Sequence, residues 1–120
     1  MIKVLIIDDA IDARMTGRYL LKSIRAEVIE ACNGMEAWPL IVREKPDVIL
    51  LDLEMPIMDG YEVMEEMTRE ALDIPVLVMS SHSSKQIQNL CHTLGARGFI
   101  PKPISIKLFR NTFFNLDLID

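Results

Sequence analysis

Short apolar runs alternate with stretches of helical period along this chain. The run Ile2-Lys3-Val4-Leu5-Ile6-Ile7 is rich in β-branched residues and stops at Asp8-Asp9, which predicts a first strand. Residues 11–24 set Met15, Leu20, Leu21 and Ile24 at mixed three- and four-residue spacing, a helix with Asp12 in the first turn, where the backbone dipole favours an acid. Residues 27–31 predict a second strand, and Asn33-Gly34 a turn that opens a helix over 35–44. A third strand is expected over 47–51, followed by the loop that carries Asp52 and a helix over 60–69. A fourth strand over 74–79 ends at Ser80-Ser81, and a helix over 84–94 is closed by Gly95, a left-handed cap. The fifth strand, 98–100, ends at Pro101-Lys102-Pro103, and Ser105 caps a last helix containing Leu108, Phe109, Phe113 and Leu116.

Strands without a polar face, separated by helices, imply a parallel sheet covered on both sides. Right-handed crossovers then favour an α/β, doubly wound five-stranded parallel sheet of order 2-1-3-4-5, a flavodoxin-like arrangement in a single domain over residues 1–120.

In such a sheet the loops at the carboxyl ends of the strands form the binding crevice. The residues that end the apolar runs are Asp8 and Asp9, Asp52, Ser80 and Lys102, so polar groups from four distant segments are expected on one edge. Asp52 is thereby expected at the mouth of the crevice, outside the core. Three neighbouring carboxylates repel and raise one another's pKa, and Lys102 offsets only one charge. A hard divalent cation with oxygen ligands relieves the rest; Mg²⁺ fits, because it takes few carboxylates and keeps several waters. With that cation and Lys102 the site can hold a phosphoryl group, Ser80 donating a hydrogen bond and Asp52 acting as nucleophile.

Composition narrows the function classes. Half of the 120 residues are hydrophobic and 26% are charged, which describes a globular chain. The net charge of −5 argues against direct nucleic-acid binding. No apolar run reaches the roughly 20 residues of a membrane span, and no secretory leader is expected. Cys32 and Cys91 lack metal-site spacing and read as reduced thiols in a cytoplasmic protein.

The segments "VLIIDDA", "DVILLDLEMPIMDG", "PVLVMSS" and "GFIPKP", in that order and spacing, resemble the CheY-like receiver domains of two-component response regulators over essentially the whole chain. Within that family, "DLEMP" with "VMSS" is similar to receivers joined to chemotaxis methylesterases, although no esterase domain accompanies it. The resemblance implies phosphorylation at Asp52 and Mg²⁺ held directly by Asp9 and Asp52, through water by Asp8, and by the backbone carbonyl of Glu54. It implies that Lys102 is the family's lysine, followed by a cis proline at Pro103, and that Ser80 and Phe99 are the switch pair. His82 and Met55 are expected at the rim of the site. The implied partners are a histidine kinase or phosphotransfer protein and an output domain or protein at the surface of helix four, strand five and helix five. The implied catalysis is confined to the chain's own phosphorylation and dephosphorylation.

Two positions depart from the family pattern. Pro39, after Trp38, falls inside helix two, where a proline costs about 3 kcal/mol, so that helix is expected to kink or to start late. Arg25 stands where a glycine commonly follows helix one, so the helix is expected to end differently or with strain. Alternative readings are an aspartate-nucleophile phosphatase or phosphotransferase, a flavodoxin-like flavin binder, and a receiver-like binding module that never takes phosphate. The flavin reading lacks a Ser/Thr/Gly-rich loop after strand one.

Overall fold

The computed structural model describes residues 1–118; the last two residues of the expected domain lie outside the described residues. Elements alternate as β1 (Lys3–Ile7), α1 (Ile11–Lys22), β2 (Glu27–Ala31), α2 (Gly34–Glu44), β3 (Val48–Asp52), α3 (Gly60–Arg69), β4 (Val76–Ser80), α4 (Lys85–Thr93), β5 (Gly98–Pro101) and α5 (Ile106–Asn115). All strand pairs are parallel, and the order is β2-β1-β3-β4-β5, as the apolar runs predict.

Alternation along each strand divides the core into two layers. Val4, Ile6, Val48, Leu50, Leu77, Met79 and Ile100 face α1 and α5, where they meet Leu20, Leu21, Phe109 and Phe113. The two phenylalanine rings lie with centroids 4.8 Å apart. Leu5, Ile7, Ile49, Leu51, Val76 and Val78 face the opposite way, against Ala37 and Ile41 of α2, Val63, Met64 and Met67 of α3, and Cys91 of α4. Both faces being covered explains why the strands carry no polar alternation. No helix among the described residues is long and apolar enough to cross a membrane.

Helix starts follow local chemistry. Asn33, Asp59, Ser84 and Ser105 each accept a hydrogen bond from the backbone N–H three residues on, and Asp59 with Glu62 completes a reciprocal capping box. Gly95 adopts φ +104 after α4, as its residue type predicts.

The structure revises two expectations and bears out a third, the strained end of helix one. α2 does not start late: it begins at Gly34 and runs through Pro39 to Glu44. Burial of Ala37 and Ile41 and the Asn33 cap hold the helix across the proline, which leaves the Met35 carbonyl without its helical donor. β3 and β4 each extend one residue further than their apolar runs, so Asp52 and Ser80 are the last strand residues rather than loop residues, paired in register with Met79 and Pro101. α1 ends at Lys22, and Arg25 is held at φ +58 in the connection to β2.

The left-handed region costs a side chain-bearing residue about 1–2 kcal/mol, partly offset in a glycine by its freer unfolded chain. Arg25→Gly is therefore expected to raise stability by about 0.5–1 kcal/mol, read as a higher urea midpoint at unchanged slope; an unchanged or lower midpoint would show that Arg25 sits there without strain.

Candidate functional site

Three polar or charged residues are buried among the described residues, and all three stand at the carboxyl edge of the sheet: Asp8 at 0% exposure, Asp52 at 7% and Ser80 at 1%. Burying a charge without partners is prohibitively unfavourable, so their surroundings define the site. Asp8 follows β1, and its N–H donates to the Ala31 carbonyl of β2 at 3.1 Å, extending the ladder to the site. Its Oδ1 accepts from the Ala10 N–H at 3.0 Å and its Oδ2 from Lys102 Nζ at 2.9 Å. Lys102 Nζ also lies 3.7 Å from Asp52 Oδ1, so one ammonium bridges two buried carboxylates. Asp9, exposed, brings a third: ligand oxygens of Asp8, Asp9 and Asp52 all lie within 4.8 Å of one another.

The charges are unbalanced in the direction the sequence suggests. Burial, followed by the charge of Asp8, pushes the Asp52 carboxyl up to about 6; Lys102 and the Glu54 backbone N–H pull it back, and Asp9 adds to the rise. Burial opposes the charge on Lys102, but the hydrogen bond to Asp8 and the charges of Asp52 and Asp8 outweigh it and raise its pKa. Oxygen donors at this spacing, with one carboxyl held reluctant to ionise, are a donor set suited to a hard divalent cation.

The surroundings hold this cluster in place. The Lys102-Pro103 peptide is cis, and the Lys102 N–H donates to the Ser80 carbonyl at 2.8 Å, tying β5 to β4 beside the site. Gly60 opens α3 against the end of β3: a Cβ there would stand 2.5 Å from the Asp52 carbonyl oxygen and 2.8 Å from Leu53 Cα, so only glycine lets the helix approach. The intervening loop contains a three-residue turn, with the Met58 N–H donating to the Pro56 carbonyl at 2.8 Å across Ile57, which takes φ +73.

Of the residues expected at the rim, His82 is exposed and its Nδ1 pairs with the Glu54 carboxylate, joining the loops after β4 and β3. Met55, three residues after Asp52, is buried at 8% exposure and packs with the core layer of α2, α3 and α4. Phe99 is half-buried on β5 against that same layer, in register with Val78. Ser80, two residues beyond Val78, shares that face of the sheet by alternation. Beside Phe99 a cavity of about 200 Å³ is lined by Gln88, Cys91, His92 and Arg97 among others.

Sequence reasoning missed Arg14 and Glu30. Arg14 Nη1 donates to the Asp8 carbonyl at 2.8 Å, and its Nε lies 3.3 Å from Glu30, which also pairs with Arg18. Arg14, four residues into α1, points back at the strand end it follows; nothing in its residue type distinguishes it from a solvated arginine. Both cysteines are free thiols with raised pKa, Cys91 by burial and Cys32 chiefly by its hydrogen bond to Glu36.

Comparison with known proteins decides the family. Residues 4–113 match the response regulator receiver domain. The chain belongs to the response regulator receiver family. It is 42% identical over 106 residues to a protein-glutamate methylesterase/protein-glutamine glutaminase of Clostridium acetobutylicum, covering 85% of this chain and 31% of that protein. It is 29% identical over 109 residues to sporulation initiation phosphotransferase F of Bacillus subtilis, covering 91% and 88%. Among solved structures, the Vibrio cholerae chemotaxis protein CheY4 superposes with a TM-score of 0.86 at 29% identity, covering 96% of this chain and 98% of that one. The receiver spans less than half the length of the methylesterases and transcriptional regulators it matches. The methylesterase resemblance and the CheY-like fold, both expected from the motifs, hold.

In the metal-free receiver the Asp52 carboxyl titrates near 6 folded, against an ordinary 3.8. The folded chain therefore binds the extra proton, and stability falls as pH rises between these values. Asp52→Asn removes the titration and is expected to exceed the parent in stability at pH 7 by on the order of 2–3 kcal/mol, the gap closing toward pH 4. Urea unfolding in chelator across that range measures it; a gap independent of pH would place Asp52 in an ordinary solvated setting.

Proposed function

We propose that this receiver is the phosphoacceptor of a two-component system, taking a phosphoryl group from the phosphohistidine of a kinase or phosphotransfer protein onto Asp52. The observation that carries this reading is one lysine shared between two buried carboxylates, with a third carboxylate alongside. Such a cluster is unfavourable at rest and becomes balanced when a cation and an anionic group enter together.

Mg²⁺ would be held directly by the carboxylates of Asp9 and Asp52 and the backbone carbonyl of Glu54, and through water by Asp8. When bound, it supplies positive charge that offsets the carboxylates and the phosphoryl oxygens. Asp52 supplies the attacking oxygen: an O–P bond forms as the donor's N–P bond breaks, and the imidazole leaves with the electron pair of that bond. Lys102, kept protonated by Asp8 and Asp52, is positioned to pair with a phosphoryl oxygen. The Ser80 Oγ accepts the His82 N–H at 3.0 Å, which leaves the hydroxyl proton free to be donated to the same group. Asp8, held by Ala10 and Lys102, keeps the cluster's geometry before and after transfer.

The readout we infer passes from Ser80 to Phe99, which share a face of the sheet on adjacent strands, and on to the surface of α4, β5 and α5. The space beside Phe99, bounded by α4, gives the ring somewhere to move. Output would be read there by a partner protein or a joined domain. The acidic character of the chain supports a protein target rather than direct contact with nucleic acid. The reading places the receiver in the cytoplasm as a single domain that catalyses only its own phosphorylation and dephosphorylation.

With Mg²⁺ and a small acyl-phosphate donor, intact mass is expected to rise by one phosphoryl group, and not at all in Asp52→Asn or in chelator. Millimolar Mg²⁺ is expected to raise the melting temperature of the parent and not of Asp9→Ala. Labelling that survives loss of Asp52, or melting indifferent to Mg²⁺ in both proteins, would remove the assignment.

Hydrogen exchange provides the second test. Adding a beryllofluoride mimic of the phosphoryl group is expected to change protection across residues 84–110 as well as in the loops after β1 and β3. Changes confined to those loops would mean that Ser80 and Phe99 do not relay the event.

A further inference from the structure

We propose that the groove between the start of α2 and the exposed face of α3, floored by the loop after β3, docks a basic amphipathic helix of a partner protein. This goes beyond the phosphoacceptor reading and does not depend on it. The first observation is Ile57. A β-branched residue at φ +73 is sterically costly where glycine or asparagine would be comfortable, and burial does not compensate, because Ile57 is 77% exposed. The turn closed by the Met58 N–H and the Pro56 carbonyl fixes this backbone and holds the apolar side chain out in water, within reach of a partner.

The second observation is what stands around it. Met35, in the first turn of α2, is 61% exposed and lines the same groove, of about 230 Å³, together with Met58, Glu62, Glu65 and Arg69. Methionine packs adaptably against varied apolar partners. Along α3 the acids Glu62, Glu65 and Glu66 recur at three- and four-residue spacing on one face, and Arg69 is turned onto Glu66. Apolar centre and acidic edge are complemented by a helix with an aliphatic stripe flanked by lysine or arginine at the same spacing.

The groove is held in shape before any partner arrives. The Gly34 N–H donates to the Met58 carbonyl at 3.2 Å, and the Gly60 N–H to the Leu53 carbonyl at 3.0 Å. A Cβ at Gly34 would meet Met58 Cγ at 2.7 Å, so loop and helix are in close contact there. Binding to a surface fixed in this way loses little in ordering.

The test uses the metal-free, unphosphorylated protein and a short synthetic helix of leucine and lysine in amphipathic order, with its leucine–glutamate counterpart as control. Amide shifts in ¹⁵N-labelled protein are expected at Met35, Ile57, Met58 and along α3 with the basic peptide only, weakening as salt rises. Ile57→Gly, which removes the anchor while relaxing the turn, is expected to weaken binding roughly fivefold or more. Glu65→Lys, on the exposed edge, is expected to weaken it at low salt. Equal binding of the acidic peptide, shifts centred on another face, concentration-dependent self-association through this groove, or indifference to Ile57→Gly would each overturn the proposal.

Discussion

One ammonium group shared by two buried carboxylates is the constraint around which the carboxyl edge of this protein is arranged. Lys102, near the carboxyl end, reaches Asp8 near the amino end and Asp52 in the middle of the chain, and burial of both acids makes that contact obligatory for the fold. Its position depends on β5 lying next to β4, which requires the full strand order. The site is therefore a product of topology: four segments contribute, and no two adjacent in sequence could form it alone.

The site and the helices behind it are joined by short connections. α3 begins where the Asp52 backbone ends, with glycine allowing the contact. Arg14 ties α1 to the Asp8 carbonyl, and the Lys102 N–H ties β5 to β4. Charge placed on Asp52 thus changes the electrostatic surroundings of groups already bonded to three different elements. A packed interior transmits such changes as shifts between discrete arrangements rather than absorbing them.

The fold was legible because buried parallel strands have to be continuous apolar runs, and the acids that ended those runs stood out against them. The strand ends were misjudged by one residue because an apolar run stops at the first polar side chain, whereas Asp52 and Ser80 are still in the ladder. Pro39 does not delay the start of α2, because the Asn33 cap and the buried Ala37 and Ile41 offset its local cost. Arg14 and Glu30 were hidden because an arginine on an amphipathic helix looks the same whether it faces water or a strand end. The left-handed Ile57 carried no turn signal, since its residue type argues for the opposite conformation.

The sheet divides the interior into two apolar layers, and the chain's single tryptophan, Trp38, packs against only one of them, the layer under α2, α3 and α4. The other layer is centred on the Phe109–Phe113 pair and contains no indole. Optically, the molecule is therefore one-sided: intrinsic tryptophan fluorescence follows the seating of α2 on the sheet, while loosening of α1 and α5 leaves the emission unchanged. Circular dichroism, which averages over all the helices, senses both. Disagreement between these two signals during unfolding would separate the layers in time with no label added to the protein.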